Sequence, residues 1–105
     1  MYATGQGISQ DYQEALKWYR KAAQQGFAKA QFNLGVTYFN GWGVSQDFIR
    51  AHMWYSVAAA ALSGDNGKTA MKRRDEVALR ITAAQIEKAK EMARRCQDTK
   101  FKDCE

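Results

Sequence analysis

Few side chains in this chain have the type and spacing to do chemistry. His52 is its single histidine. General-base catalysis needs a nucleophile within reach of the imidazole and a third group to orient the ring. No Ser, Cys or carboxylate stands at a telling spacing from His52, and neither an HExxH nor a CxxC motif occurs. His52 also follows Ala51 on a helix whose buried positions are already taken, so it is expected to face solvent. Cys96 and Cys104 are the only cysteines. With one distant histidine they fall short of the four ligands of a structural zinc site. Two readings of the pair stay open at this level: a disulfide tying the tail to the last helix, or two reduced thiols. Gly5-Gln6-Gly7 and Gly41-Trp42-Gly43 lack the third glycine and the Lys-Ser/Thr that cradle phosphates. They read as turns between helices. No catalytic residue, metal or cofactor is expected.

The rest of the composition is that of a folded, globular chain. At 105 residues the chain is one domain or a piece of one. Its formal charge of +5 is concentrated in the C-terminal third. There Lys68, Lys72, Arg73, Arg74, Arg80, Lys88, Lys90, Arg94 and Arg95 invite a nucleic-acid or anionic-surface reading. Asp75, Glu76, Glu87 and Glu91 interleave with them and no aromatic platform accompanies them, so a solvated helix surface is the expected role. The longest apolar run, Ala58 to Leu62, is far below membrane-spanning length, so no transmembrane segment is expected. Met1 opens directly on repeat sequence, and no signal peptide is visible.

The elements that position these residues read as helices. Ala15, Leu16, Trp18, Tyr19, Ala22 and Ala23 recur at three- and four-residue spacing and predict a helix over 11–25, stopped by Gly26. A second helix is expected over 28–39, followed by a glycine loop, and a third over 47–62. Ser63-Gly64-Asp65-Asn66-Gly67 reads as a turn cluster. A charged helix over 68–80 follows, with Ala70, Met71, Val77, Ala78 and Ile81 inward. Thr82-Ala83-Ala84-Gln85 has the form of a capping box opening a last helix over 83–97, with Ile86, Ala89, Ala93 and Cys96 on its apolar face. Proline is absent, which suits helices joined by glycine turns.

The first two thirds of the chain repeat. Shifted by 36 positions, Tyr2 falls on Tyr38, Gly5 on Gly41, Gly7 on Gly43, Ala15 on Ala51, and Trp18-Tyr19 on Trp54-Tyr55. Periods of roughly 20 to 50 residues mark solenoids, whose units bury their apolar faces only by stacking on neighbours. The unit reads Ala30-x-x-x-Leu34-Gly35-x-x-Tyr38-x-x-Gly41-x-Gly43, then Asp47, Ala51, Trp54-Tyr55 and Ala58-Ala59. It resembles the Sel-1-like repeat family, a relative of the tetratricopeptide repeat, strongly over 2–65 and loosely beyond. The resemblance implies an all-α right-handed superhelix of antiparallel helix pairs. Its parts are repeats over 1–65 (the first truncated, the second complete), a divergent capping helix pair over 66–97, and a tail over 98–105.

In such a frame Gly35, costing about 1 kcal/mol against alanine inside a helix, clears room for a neighbouring ring. Trp18, Tyr19, Trp54 and Tyr55 fill the wedges between helices, and Gly41 and Gly43 take positive φ. Tyr2 reads as the last turn of a helix whose start the first unit lacks. The chain is therefore expected to be a fragment of a longer protein, or one whose bare N-terminal face is covered by a partner or a second copy.

The resemblance also implies a function. The likeness of residues 82–104 to the closing helix and cysteine-bearing tail of some bacterial members favours a Cys96–Cys104 disulfide, and with it a periplasmic or secreted setting; reduced cysteines would place the chain in the cytoplasm. By position, Lys29, Phe32, Val36, Phe39 and Asn40 match the inner face that related arrays use for ligands. A protein–protein interaction scaffold binding a peptide or partner is the expected function. Burial of the same apolar residues against the preceding unit is the alternative. Some cysteine-rich relatives have been assigned β-lactamase or penicillin-binding activity. That chemistry needs Ser-x-x-Lys, and Ser45-Gln46-Asp47-Phe48 and Ser63-Gly64-Asp65-Asn66 both lack the lysine.

Overall fold

The structure, a computed structural model, describes residues 8–105, with side chains from residue 12. The expectations on Tyr2, Gly5 and Gly7, and the truncated start of the first repeat, lie outside those residues. Five helices follow in order: α1 Ile8–Gln24, α2 Ala28–Asn40, α3 Phe48–Ala61, α4 Gly64–Ala78 and α5 Ala83–Asp98. Among the described residues there is no strand. The fold is all-α.

Local signals set most of the helix ends. Beyond α1, Phe27 N–H donates to Ala22 O and Gly26 N–H to Ala23 O, the two bonds that close a helix C-terminus on a left-handed glycine. After α2 the chain turns through Gly41 (φ 71°) and Gly43 (φ 77°), a conformation that a Cβ would strain. Asp47 N–H then returns to Tyr38 O at 2.9 Å. The Asp47 carboxylate caps α3 by accepting from Arg50 N–H at 2.9 Å. Thr82 and Gln85 form the reciprocal capping box at the start of α5.

Stacking places α3 at the centre. It packs against α2, α4 and α5, while α2 also packs against α1. A helix packed on three sides buries most of its surface, and Ala51, His52, Met53, Trp54, Tyr55, Val57 and Ala58 are all buried. The α2–α3 crossing depends on Gly35, where a Cβ would stand 2.6 Å from the Tyr55 ring. Only a hydrogen at that position lets the ring lie on α2.

Four expectations are corrected here. The cluster 63–67 is no extended turn: α4 starts at Gly64. Gly67 sits in its first turn, where a Cβ would meet Leu62 O at 2.9 Å, so this glycine serves close approach rather than turning. Met71 is exposed, because α4 turns that side to solvent. Trp18 is 59% exposed rather than wedged between helices, while its repeat partner Trp54 is 2% exposed. His52 is buried at 3%, because α5 packs on the side of α3 expected to be free.

Candidate functional site

Phe32, Val36 and Phe39 recur at spacings of four and three residues along α2 and so share one side of it. Two of the rings lean on α3: Phe32 is 5.4 Å from Tyr55 and Phe39 is 5.4 Å from Phe48, centroid to centroid. Beyond them α2 and α4 diverge. The gap is a groove of about 240 Å³ lined by Phe32, Val36, Phe39 and Asn40 from α2, Tyr55 from α3, and Arg73, Glu76 and Val77 from α4. Four of the five positions expected on the inner face therefore line one concavity. Lys29 lies apart, in a neighbouring hollow of about 240 Å³ that shares Phe32 and adds Asn33, Leu62, Asn66 and Thr69.

The groove has an apolar floor and a polar rim. Phe32, Val36 and Phe39 are half-buried, so they are neither sealed core nor free surface. Arg73 pairs with Glu76 at 3.3 Å along α4. The Arg80 guanidinium stands 5.5 Å over Phe39 and 5.9 Å from Phe48, within cation–π range. Burial pushes the Tyr55 phenol up to about 12, so it stays neutral in the groove wall at physiological pH.

His52 sits at the edge of a cleft between α3, α4 and α5, with Ser56, Arg74, Lys90 and Arg94 among its neighbours. Its Nδ1 lies 3.5 Å from Ser56 Oγ, at the limit of a hydrogen bond. Burial holds its pKa below the usual histidine value, and Arg74 and Lys90 hold it lower still. The surrounding cations are matched by neighbours: Arg74 by Asp75 at 3.1 Å, Lys90 by Glu87 at 3.7 Å, Arg94 by Glu91 at 2.8 Å. The basic third is thus a mixed-charge surface. Among the described residues no group of three or more His, Cys, Asp or Glu could hold a metal ion, and no helix is long and apolar enough to cross a membrane.

The tail builds a second, polar constellation that sequence reasoning did not reach. Cys96 and Cys104 are joined by a disulfide. Between them Lys100 and Phe101 take positive φ (56° and 70°), a left-handed turn that costs roughly 1 to 2 kcal/mol per non-glycine residue. Phe101 N–H bonds Cys96 O at 2.7 Å, and the Phe101 ring lies over Gly26, where a Cβ would approach it to 3.3 Å. The reversed tail carries Glu105 to the middle of the array. Its Oε2 accepts from Trp54 Nε1 at 2.9 Å. Its Oε1 accepts from the Tyr38 hydroxyl and, at 3.2 Å, from Arg20 Nη2. Arg20 Nη2 also donates to the Tyr38 hydroxyl at 2.7 Å. Burial and then the Glu105 contact push the Tyr38 phenol up to about 12. Burial opposes the Arg20 charge, but Tyr38 and Glu105 outweigh it and raise its pKa. Tyr38 and Trp54 are repeat-pattern residues whose spacing announces packing. Nothing in that spacing tells where their O–H and N–H point.

The family profile described as Sel1 repeat matches residues 1–27 and 28–61. The second match spans α2 and α3 as one unit. A crystal structure of a protective antigen present in uropathogenic Escherichia coli strains, displaying an SLR fold, superposes with a TM-score of 0.74 at 27% sequence identity. That match covers 95% of this chain and 21% of the antigen chain, so the present chain spans about a fifth of its length. No curated protein sequence matches the chain.

Proposed function

The chain belongs to the Sel1 repeat family, and from that membership we propose that it is a non-catalytic scaffold that binds a peptide or partner protein along the inner face of α2 and α4. The observation that carries this reading is the groove over Phe32, Val36 and Phe39. Its apolar floor supplies anchors whose burial on binding would contribute about 25 cal/mol per Å². Asn40, Arg73 and Glu76 at the rim supply hydrogen bonds that fix orientation, the division of labour common to peptide-binding grooves. Lys29 would meet the ligand beyond Phe32. In the same reading α4 and α5 cap the array, and the face of α1 carrying Trp18 takes the next unit or a second copy. The disulfide favours a periplasmic or secreted setting, because cytosolic thiols are kept reduced.

The test is capture of partners from the source cell's extract on the immobilised chain, identified by mass spectrometry. Two variants accompany it: Phe32→Ala with Phe39→Ala, and Asn40→Trp, which obstructs the groove from an exposed position. The expected result is one or a few proteins lost with either variant while the helical circular-dichroism signal persists. Partners retained by both variants would place binding elsewhere.

A further inference from the structure

Glu105 occupies a cradle that is more elaborate than tail anchoring requires. Its donors come from three helices: Arg20 from α1, Tyr38 from α2, and Trp54 from α3. Arg50, also on α3, brings its Nε to 3.8 Å from Glu105 Oε1. That Nε is buried and donates to no described atom, so the cradle holds one donor more than Glu105 uses. A buried unpartnered donor is costly, and a carboxylate seated slightly deeper would satisfy it. The cradle shares no residue with the α2–α4 groove. It is also reachable, since the Arg20 and Arg50 side chains are 44% and 38% exposed.

The covering segment is held by one covalent bond. Cys104 immediately precedes Glu105, so the disulfide to Cys96 fixes the carboxylate over its donors. We propose that the Arg20–Tyr38–Trp54–Arg50 cradle is a binding site for the carboxylate side chain of an extended acidic peptide, closed in cis by Glu105 and opened when the Cys96–Cys104 disulfide is reduced. Opening requires a thiol reductant. A dithiol delivers two electrons and two protons, the S–S bond breaks, Cys96 and Cys104 become thiols, and the dithiol becomes a disulfide. The freed tail then competes for the cradle only as a flexible tether, whose effective concentration is on the order of millimolar. A peptide in trans competes with it on those terms. The left-handed turn at Lys100 and Phe101 relaxes on release, which favours the open state.

The test has two arms, both on the full chain. The first uses sodium acetate, the simplest carboxylate, on the disulfide-intact Glu105→Gln variant, following the Trp54 indole N–H resonance by NMR. A saturable shift in Glu105→Gln, absent from the unaltered chain and lost when Arg20→Ala is added, is expected. No saturable shift overturns the site. The second arm follows the anisotropy of a fluorescein-labelled peptide of residues 97–105 carrying Cys104→Ser. Binding at least tenfold tighter to the dithiothreitol-reduced chain than to the oxidised chain is expected, tighter again in reduced Glu105→Gln, and lost when the peptide's own glutamate is replaced by glutamine. Equal binding to oxidised and reduced chains overturns the gate, as does loss of the helical circular-dichroism signal on reduction, because the switch needs a folded open state.

Discussion

Helices α1 and α3 carry the same Trp-Tyr pair, Trp18-Tyr19 and Trp54-Tyr55, and use it differently. Trp54 and Tyr55 are 2% and 3% exposed, whereas Trp18 is 59% exposed. The repeat-pattern residues are the same, but Lys17 and Lys21 stand in α1 where α3 has the buried Met53 and Val57, so the two helices differ both in their flanking residues and in their neighbours. α3 has helices on three sides and the tail's carboxylate on its indole N–H. α1 packs mainly on α2, and the Trp18 ring meets only the Lys21 ammonium at 5.2 Å among the aromatic contacts described. In a solenoid, a residue's energetic weight is set by its place in the stack as much as by its type.

The comparison can be broken or sharpened by substitution. Trp54→Ala should cost about 3 to 5 kcal/mol, as for a buried aromatic truncation, while Trp18→Ala should stay within about 0.5 kcal/mol. Urea unfolding of the two variants checks this, and equal losses would break the comparison outright. Cys96→Ser with Cys104→Ser should cost about 2 to 3 kcal/mol by chain entropy for so short a loop. The same variant should raise the quenching of Trp54 by acrylamide but leave it well below that of Trp18, because the helices packed on α3 stay in place. Gly35→Ala should cost about 1 to 3 kcal/mol as overpacking, since the new methyl would displace the Tyr55 ring; a neutral melting curve would mean that the ring moves freely.

The smallest effect concerns His52, which stands on α3 where α1 has Leu16, both buried. Its folded pKa lies below its unfolded value, so the unfolded chain binds the proton more readily. The stability that His52 contributes as a neutral side chain is present above the unfolded pKa of about 6.5 and declines as pH falls below it. Melting temperatures between pH 8 and pH 5 should drop less in His52→Leu than in the unaltered chain. Parallel curves would show that burial does not hold the imidazole neutral.

Much of this architecture was legible in the sequence because its signals are local. The Thr82–Gln85 box announced a helix start, since a cap acts within three residues of itself. The 36-residue echo announced stacking, and glycine at position 35 announced the close approach that Tyr55 makes. The shared side of Phe32, Val36 and Phe39 followed from the period of α2, although the separation of Lys29 from Phe39 did not. What the sequence left undecided depends on contacts between distant residues. Spacing assigned Trp18 and Trp54 the same role, and the stack around each, with lysines beside the one and Met53 and Val57 beside the other, decided which one is buried. His52 looked free because α5, which covers it, begins thirty-one positions later. The turn-like residues after Ser63 became helix because α4 could pack on α3. The Glu105 cradle was the least legible of all, for it joins side chains as far apart as Arg20 and Glu105, 85 positions along the chain. Periodicity and capping specify which segments are helices and which stripe of each is apolar. Where the polar ends of buried aromatic residues point, and which carboxylate meets them, is decided only when the helices and the disulfide-tied tail bring those atoms within hydrogen-bond distance.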